Sequence, residues 1–221
     1  MLYHKMIKPS FDIFRLLYGI NISGGVMIPS YVIGNFFVYL VINAFTPGPG
    51  NIIAFNTVTS YGIKKGRLLF LGIFAGYFVV QSICAVFVFG LGSFLPAVLK
   101  IIKYVGAAYI VWLAIHIAIS KPEKEDESKS ASFGRGMVSQ LVNVKIYMLG
   151  ITAITGYVTD YNSSFAVIYL FEMIIVSVGV IATLTWIGLG YVIQDIYMKH
   201  FRIINIALSI ILLECVYSIL K

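Results

Sequence analysis

Long apolar stretches separated by short polar connections make up most of this chain of 221 residues. A helix of roughly 20 residues crosses a bilayer core about 30 Å thick, and six stretches reach or approach that length. They are residues 31–60, 68–95, 101–119, 137–158, 165–191 and 203–220. Because 60% of the residues are hydrophobic and only 11% are charged, the pattern predicts an all-α, polytopic membrane protein with six transmembrane helices.

The Lys and Arg residues lie at the ends of the apolar stretches, where they orient a membrane protein because cytoplasmic connections are enriched in them. Three basic connections are therefore expected in the cytoplasm, with both ends of the helical core outside. They are residues 61–67, 120–135 and 192–202. The net charge of +7 at pH 7 does not form one basic face interleaved with aromatic residues, so we expect no nucleic-acid partner.

The polar run SKPEKEDESKSASFGR at residues 120–135 is predicted to be a solvated cytoplasmic linker, since it holds little that could enter a core. A regulatory or partner-binding loop is the alternative. The linker separates a first three-helix unit, residues 27–119, from a second, residues 136–221. Residues 1–26 form an N-terminal extension that resembles neither a secretory signal peptide nor a membrane span, and Met27 is an alternative start of translation.

The two units are predicted to be inverted repeats. Thr46 stands 22 residues before Leu68, where the next helix is expected, and Asn143 stands 22 residues before Phe165. Three crossings per unit would reverse the second unit in the membrane. Inverted repeats place substrate sites near the midplane, where their interrupted helices meet.

The first helix is expected to break at Thr46-Pro47-Gly48-Pro49. Each proline removes a backbone N–H and clashes with the carbonyl four residues earlier. Carbonyls and amides freed in this way are tolerated at membrane depth only where they line a cavity or are buried in protein, so the segment is a candidate ligand cradle with free carbonyls for an ammonium group. A half-helix starting near Asn51 would direct its positive end at an anion. A kink satisfied by neighbouring helices is the alternative.

Lys145 is the only charged residue in the apolar stretch 137–158. A lysine at membrane depth is costly unless it faces a partner or a water-filled cavity, so it is a candidate functional residue. An ion pair with Glu172 or Glu214 is the structural alternative to contact with a substrate carboxylate or to proton coupling. The candidate residues for substrate binding or coupling are Thr46, Pro47, Gly48, Pro49, Asn51, Asn143 and Lys145.

Other polar and small residues inside the apolar stretches are expected to serve packing. Gly72 and Gly76 form a small-residue face that lets a neighbouring helix approach closely. Trp112 and Trp186 are expected to anchor the protein at the membrane interface. Five polar residues could line a path through the membrane, but each is expected to form hydrogen bonds between helices instead. They are Asn43, Asn56, Gln81, Gln140 and Tyr147.

The sequence gives little support for a metal site, a cofactor or an enzymatic reaction. Cys84, Cys215 and the three histidines show no ligand spacing, so we expect neither a metal site nor a cofactor. An intramembrane enzyme is the rival class, but no histidine lies at the centre of an apolar stretch to activate a nucleophile. Glu172 and Glu214 would then be an unsupported acid pair.

Four motifs carry a resemblance to a known family. FTPGPGN at residues 45–51 is followed by YGIKKG at 61–66, GAAYIVWLA at 106–114 and QLVNVK at 140–145. As a set, over a region from Met27 to the C-terminus, they resemble the lysine exporter (LysE/RhtB) family of bacterial inner-membrane amino-acid exporters. Members usually carry Asn-Pro-Lys where this chain has Asn-Val-Lys. The VNVKI variant together with GAAYIVWLA is similar to the cysteine and O-acetylserine exporter subgroup.

The resemblance implies proton-linked efflux of a small amino acid, such as cysteine or O-acetylserine, by a multi-pass protein of the bacterial inner membrane that is not an enzyme. Another amino acid (homoserine, threonine or lysine) or another small solute is the alternative substrate. The implied partners are a small zwitterionic amino acid, protons and the lipid bilayer, with homo-oligomerisation left open. Gly50 departs from the family, which often has asparagine directly after the second proline. The motif positions carried over are Pro47, Pro49, Asn51, Asn143 and Lys145.

Overall fold

The computed structural model describes residues 19–20, 28–90, 95–120 and 131–220. Two short strands, β1 (Gly19–Ile20) and β2 (Ile28–Pro29), pair antiparallel. All other regular structure in these residues is helical, which confirms the all-α class. The helices are α1 (Ser30–Phe45), α2 (Pro49–Gly90), α3 (Leu95–Ile119), α4 (Phe133–Leu141), α5 (Val144–Tyr157), α6 (Phe165–Val192) and α7 (Gln194–Leu220).

Three of the described helices, α2, α6 and α7, are long and apolar enough to cross a membrane, and α4 with α5 makes a fourth if this pair, bent by 52°, is one span. Helix α1 and residues Lys103–Ile119 of α3 are apolar but shorter. Large apolar side chains on the outer surface are exposed, for example Ile203 at 70% and Val192 at 78%. An apolar exterior of this kind is typical of a protein that faces lipid.

Two of the predicted connections are largely helical. Residues 61–67 were expected to link two spans, but α2 is interrupted only at Gly62, which has φ 76° and ψ 173°. Glycine tolerates this left-handed conformation because it has no Cβ. Residues 192–202 are likewise occupied by the start of α7, which is interrupted at His200. The polar residues thus predicted an interruption in the right place in both cases, but the non-helical part is much shorter than the predicted connections.

The predicted linker and extension fall mainly outside the described residues. Residues 121–130 of the linker and all of the extension 1–26 except β1 belong to this part of the chain. At the end of the linker, α4 already begins at Phe133, because the Ser132 side chain accepts a hydrogen bond from the backbone N–H of Arg135. A serine in this position stabilises a helix start.

Close packing of α4 on α2 fixes the position of the second helix break. A Cβ added at Gly72 would lie 2.0 Å from the Phe133 carbonyl oxygen, and one added at Gly76 would lie 2.6 Å from Gln140 Cβ. Any larger residue would push α4 away. The expectation that Gly72 and Gly76 form a packing face is therefore confirmed.

Candidate functional site

The first helix breaks where the prolines predict. Helix α1 ends at Phe45 and α2 begins at Pro49, which leaves Thr46, Pro47 and Gly48 between them. Pro49 takes the first position of α2, where its missing N–H costs nothing and its fixed φ suits the helix. The second half-helix therefore starts two residues before the predicted Asn51.

Side chains satisfy the carbonyls at the end of α1. Asn51 Nδ2 donates to the Ala44 carbonyl oxygen at 3.0 Å, and Thr183 Oγ1 on α6 donates to Asn51 Oδ1 at 3.1 Å. Trp186 Nε1, also on α6, donates to the Phe45 carbonyl oxygen at 3.1 Å. Trp186, expected at the membrane interface, instead helps to hold the break.

The next two carbonyls are satisfied from α5 and α7. Lys145 Nζ donates to the Thr46 carbonyl oxygen at 2.8 Å, and Cys215 Sγ lies 3.6 Å from the Pro47 carbonyl oxygen as a weak donor. The expectation of free carbonyls in the cradle is wrong for this structure, because each carbonyl from Ala44 to Pro47 has a partner within the protein. A ligand that uses the Thr46 carbonyl must first displace Lys145.

The second break lies between α4 and α5, at Val142 and Asn143. Asn143 is buried, and its Oδ1 accepts from the Lys145 backbone N–H at 3.2 Å, which caps the start of α5. Its Nδ2 donates to Gln140 Oε1 at 3.1 Å. Val144 takes the first position of α5, the position at which a proline is also well accommodated. The Asn-Val-Lys variant therefore keeps the break without a proline.

The two breaks contact each other through Lys145. Its side chain spans from α5 to Thr46 and lies against Gly48, where an added Cβ would be 3.0 Å from Lys145 Cδ and 3.3 Å from Nζ. The space left between the breaks is only about 10 Å³, and its lining includes Asn51 and Asn143. The structure thus brings together the predicted residues of both motifs.

A larger cavity of about 970 Å³ adjoins this contact. Its wall includes Thr46, Pro47 and Lys145 from the breaks and Glu214 and Cys215 from α7. Opposite charges therefore face one cavity, which is large enough for a small organic molecule. Two further lysines from the start of α3, Lys100 and Lys103, add positive charge to the wall.

Neither candidate acid is paired with Lys145 in the described part of the chain. Glu214 is exposed and lines the same cavity as Lys145. Glu172 is fully buried, and neither of its carboxyl oxygens has a hydrogen-bond partner among the described residues. The geometry favours Lys145 as a donor to backbone over Lys145 as half of an ion pair.

Gln140 is a buried polar residue beside the two breaks, and the sequence predicted for it only a hydrogen bond between helices. It is fully buried, and its Nε2 has no partner within the described ranges. An added Cβ at Gly50 would lie 2.1 Å from this nitrogen, so an unused donor lies against the first turn of α2. The available signal was a polar residue in an apolar stretch, three positions before Asn143.

Two other polar predictions give opposite results. Gln81 Nε2 on α2 donates to the Ile146 carbonyl oxygen on α5 at 3.2 Å, which confirms an interhelical bond. Asn43 Nδ2 donates instead to the Tyr39 carbonyl oxygen of its own helix at 2.9 Å, so that prediction is wrong. Among the described residues no group of three His, Cys, Asp or Glu side chains could hold a metal ion.

A second cavity, of about 390 Å³, lies towards the other end of α3 and shares no lining residue with the first. Its wall includes Asn56 and Ser120. A hydrogen-bond network lies beside it: Asn56 Nδ2 donates to Tyr197 Oη at 3.1 Å, Tyr197 Oη to Asn205 Oδ1 at 3.0 Å, and Asn205 Nδ2 to Ser120 Oγ at 3.1 Å. This network joins α2, α7 and the end of α3.

Comparison with known proteins gives consistent matches. The family model described as LysE type translocator matches residues 41–215. A protein named cysteine/O-acetylserine efflux protein from Escherichia coli strain K12 is 34% identical over 186 residues, which are 83% of this chain and 95% of that protein. Proteins of the same name from Shigella flexneri serotype 5b and Shigella sonnei match with the same identity and coverage. No solved structure matches the chain.

Proposed function

We propose, from the premise that this chain belongs to the LysE type translocator family, that it exports a small zwitterionic amino acid from the cytoplasm across the bacterial inner membrane. Relatives named for cysteine and O-acetylserine efflux match over 95% of their length, which supports these substrates. The structural observation that supports the proposal most directly is the contact of the two helix breaks through Lys145, at the wall of the larger cavity.

The arrangement that we propose is six spans in two inverted units, although α1 and the apolar part of α3, Lys103–Ile119, are short. In this arrangement α1 and residues 49–61 form one span across the first break, and α4 and α5 form one span across the second. The interruptions at Gly62 and His200 separate the remaining spans. With the basic connections in the cytoplasm, the larger cavity lies towards the outside and the smaller towards the cytoplasm.

Both ends of an amino acid find a partner at the breaks. The substrate carboxylate would bind Lys145 Nζ, which lies at the cavity wall near the positive N-terminal ends of α2 and α5. Once Lys145 turns to the carboxylate, the Thr46 carbonyl becomes available to the substrate ammonium, with Glu214 as the second acceptor on the cavity wall. In the structure without substrate, the Lys145 ammonium therefore occupies the place of the substrate ammonium at the Thr46 carbonyl, and this carbonyl occupies the place of the substrate carboxylate at Lys145.

Alternating access is the mechanism that the two cavities favour. The network of Asn56, Tyr197, Asn205 and Ser120 would close the cytoplasmic side while the larger cavity is accessible from outside. Release of this network would open the smaller cavity towards the breaks. Proton coupling would drive the cycle towards export.

The test is uptake into everted membrane vesicles that contain the protein. We expect labelled cysteine and O-acetylserine to accumulate when the inside of the vesicles is made more acidic than the outside. Neither should accumulate when an uncoupler is added, or in vesicles with Pro47→Ala. Vesicles lacking the protein are the background. Uptake of lysine, but of neither small amino acid, would contradict the substrate while preserving amino-acid export. Uptake of no amino acid by correctly folded protein would contradict the function.

A further inference from the structure

Glu172 is a buried acid that substrate binding does not use. It lies on α6 in apolar surroundings with no exposed surface, and neither carboxyl oxygen has a partner in the described part of the chain. An ionised carboxylate accepts hydrogen bonds but cannot donate one. Burying it without donors is strongly unfavourable, so the environment suits the neutral form.

A second unsatisfied acceptor faces the same place. Gln81 on α2 is also fully buried, and its Oε1 has no partner among the described residues. A Cβ added at Gly150 on α5 would lie 2.2 Å from Gln81 Oε1 and 3.1 Å from Glu172 Oε2. Both oxygens therefore converge on one glycine, and no described residue donates a hydrogen bond to either of them.

Among the residues that the structure describes, the neighbouring helices bring no cation to Glu172. From α2 the titratable group that interacts with it is the buried thiol of Cys84, and Tyr147 on α5 interacts in turn with Cys84. Helix α1 carries no charged residue. Lys145 is directed to Thr46. One proton on Glu172 would remove its charge and supply the donor that Gln81 Oε1 lacks.

We propose that Glu172 is the binding site for the coupling proton, with Gln81 Oε1 as the hydrogen-bond acceptor of its protonated carboxyl group. This proposal rests on the proposed export function. A sodium ion fits less well, because the described side chains at this place offer it two carboxyl oxygens and one amide oxygen, and Na⁺ favours more oxygen ligands.

Gln81 links this proton to the substrate site. Its Nε2 donates to the carbonyl oxygen of Ile146, the residue directly after Lys145. When the O–H bond of Glu172 breaks and the proton passes to water on the cytoplasmic side, the carboxylate faces an amide oxygen. The amide then turns, so that Nε2 donates to the carboxylate and leaves Ile146. Loss of the proton therefore breaks the hydrogen bond between Gln81 on α2 and the first turn of α5, which carries Lys145.

Two measurements on Glu172→Gln test the proposal, with Asp195→Asn, an exposed acid on α7, as the matched control. The glutamine variant keeps a donor for Gln81 Oε1 and cannot release a proton. In proteoliposomes we expect gradient-driven accumulation of labelled cysteine to fall at least about tenfold, within the range of ordinary coupling free energies. Exchange of labelled for unlabelled cysteine without a gradient should persist, and the control should keep both activities.

Infrared spectroscopy of purified protein at neutral pH gives the second readout, which does not depend on transport. We expect a protonated-carboxyl band that is absent in Glu172→Gln and retained in Asp195→Asn. Absence of a band attributable to Glu172 would overturn the proton site, even if export is confirmed. If wild type showed the band but Glu172→Gln accumulated cysteine normally under a gradient, the coupling role would be overturned. Accumulation driven by a sodium gradient instead of a proton gradient would overturn it too. Failure of wild-type exchange would instead count against the export function.

Discussion

Asn51 is predicted to hold the first helix break in its observed shape. Its Nδ2 donates to the Ala44 carbonyl oxygen at 3.0 Å and lies 3.4 Å from that of Thr46, while its Oδ1 accepts from Thr183. Asn51→Ala leaves the buried Ala44 carbonyl without this donor. An unsatisfied buried group of this kind costs about 1–3 kcal/mol. Thr183 keeps a second acceptor, the Gly179 carbonyl, and adds little to the cost.

A loss of about 2 kcal/mol lowers the melting temperature by about 4–8 °C in a protein of this size. Thermal unfolding of detergent-purified protein should show this shift for Asn51→Ala. A larger one is expected for Asn51→Asp, which places carboxylate oxygens against the Ala44 carbonyl. Asn162→Ala removes an exposed loop hydrogen bond to Ser164 and should change little. If Asn51→Ala had the same melting temperature as Asn162→Ala and wild type, the shape of the break would not depend on Asn51.

Three further changes test packing, orientation and the break. Gly72→Val should displace α4 and lower the yield of folded protein, because an added Cβ meets the Phe133 carbonyl oxygen at 2.0 Å; Gly156→Val, with open space at Cβ, should fold normally in size-exclusion chromatography. A periplasm-dependent reporter fused after residue 221 should be active, whereas one fused at residue 130 should be inactive; the reverse result would refute the proposed orientation. Pro47→Ala should abolish uptake while insertion, followed by immunoblot, is unchanged, and normal uptake would show that the break tolerates a helical residue.

The positions of the breaks were predictable because their causes are local. Pro47 and Pro49 end one helix and begin the next by their covalent geometry alone. Asn143 was identified as a polar interruption, although its capping of α5 required the backbone coordinates. Gly62 was within a predicted connection, but its sharp turn between two helical segments was not expected from the sequence.

The partners of the break were not predictable because they come from distant parts of the chain. Trp186 and Thr183 lie more than 130 positions after the carbonyl and amide groups that they satisfy. The sequence made Glu172 a candidate ion-pair partner of Lys145, but the position of a residue along a helix does not give the direction in which its side chain leaves that helix. The structure directs Glu172 to Gly150 and Lys145 to Thr46.

Lys145 provides the most direct test of the central claim, that the two breaks form the substrate site. Everted vesicles with equal amounts of wild type, Lys145→Met and Lys199→Met should be compared for initial uptake of labelled cysteine and O-acetylserine. Loss of a charge-assisted hydrogen bond of about 1.5–3 kcal/mol predicts an uptake rate at subsaturating substrate that is about 10–150-fold lower in Lys145→Met. Lys199 is exposed at the start of α7, and its variant should match wild type. Uptake by Lys145→Met at the wild-type rate would contradict the account, because Lys145 would then serve only the structure of the breaks.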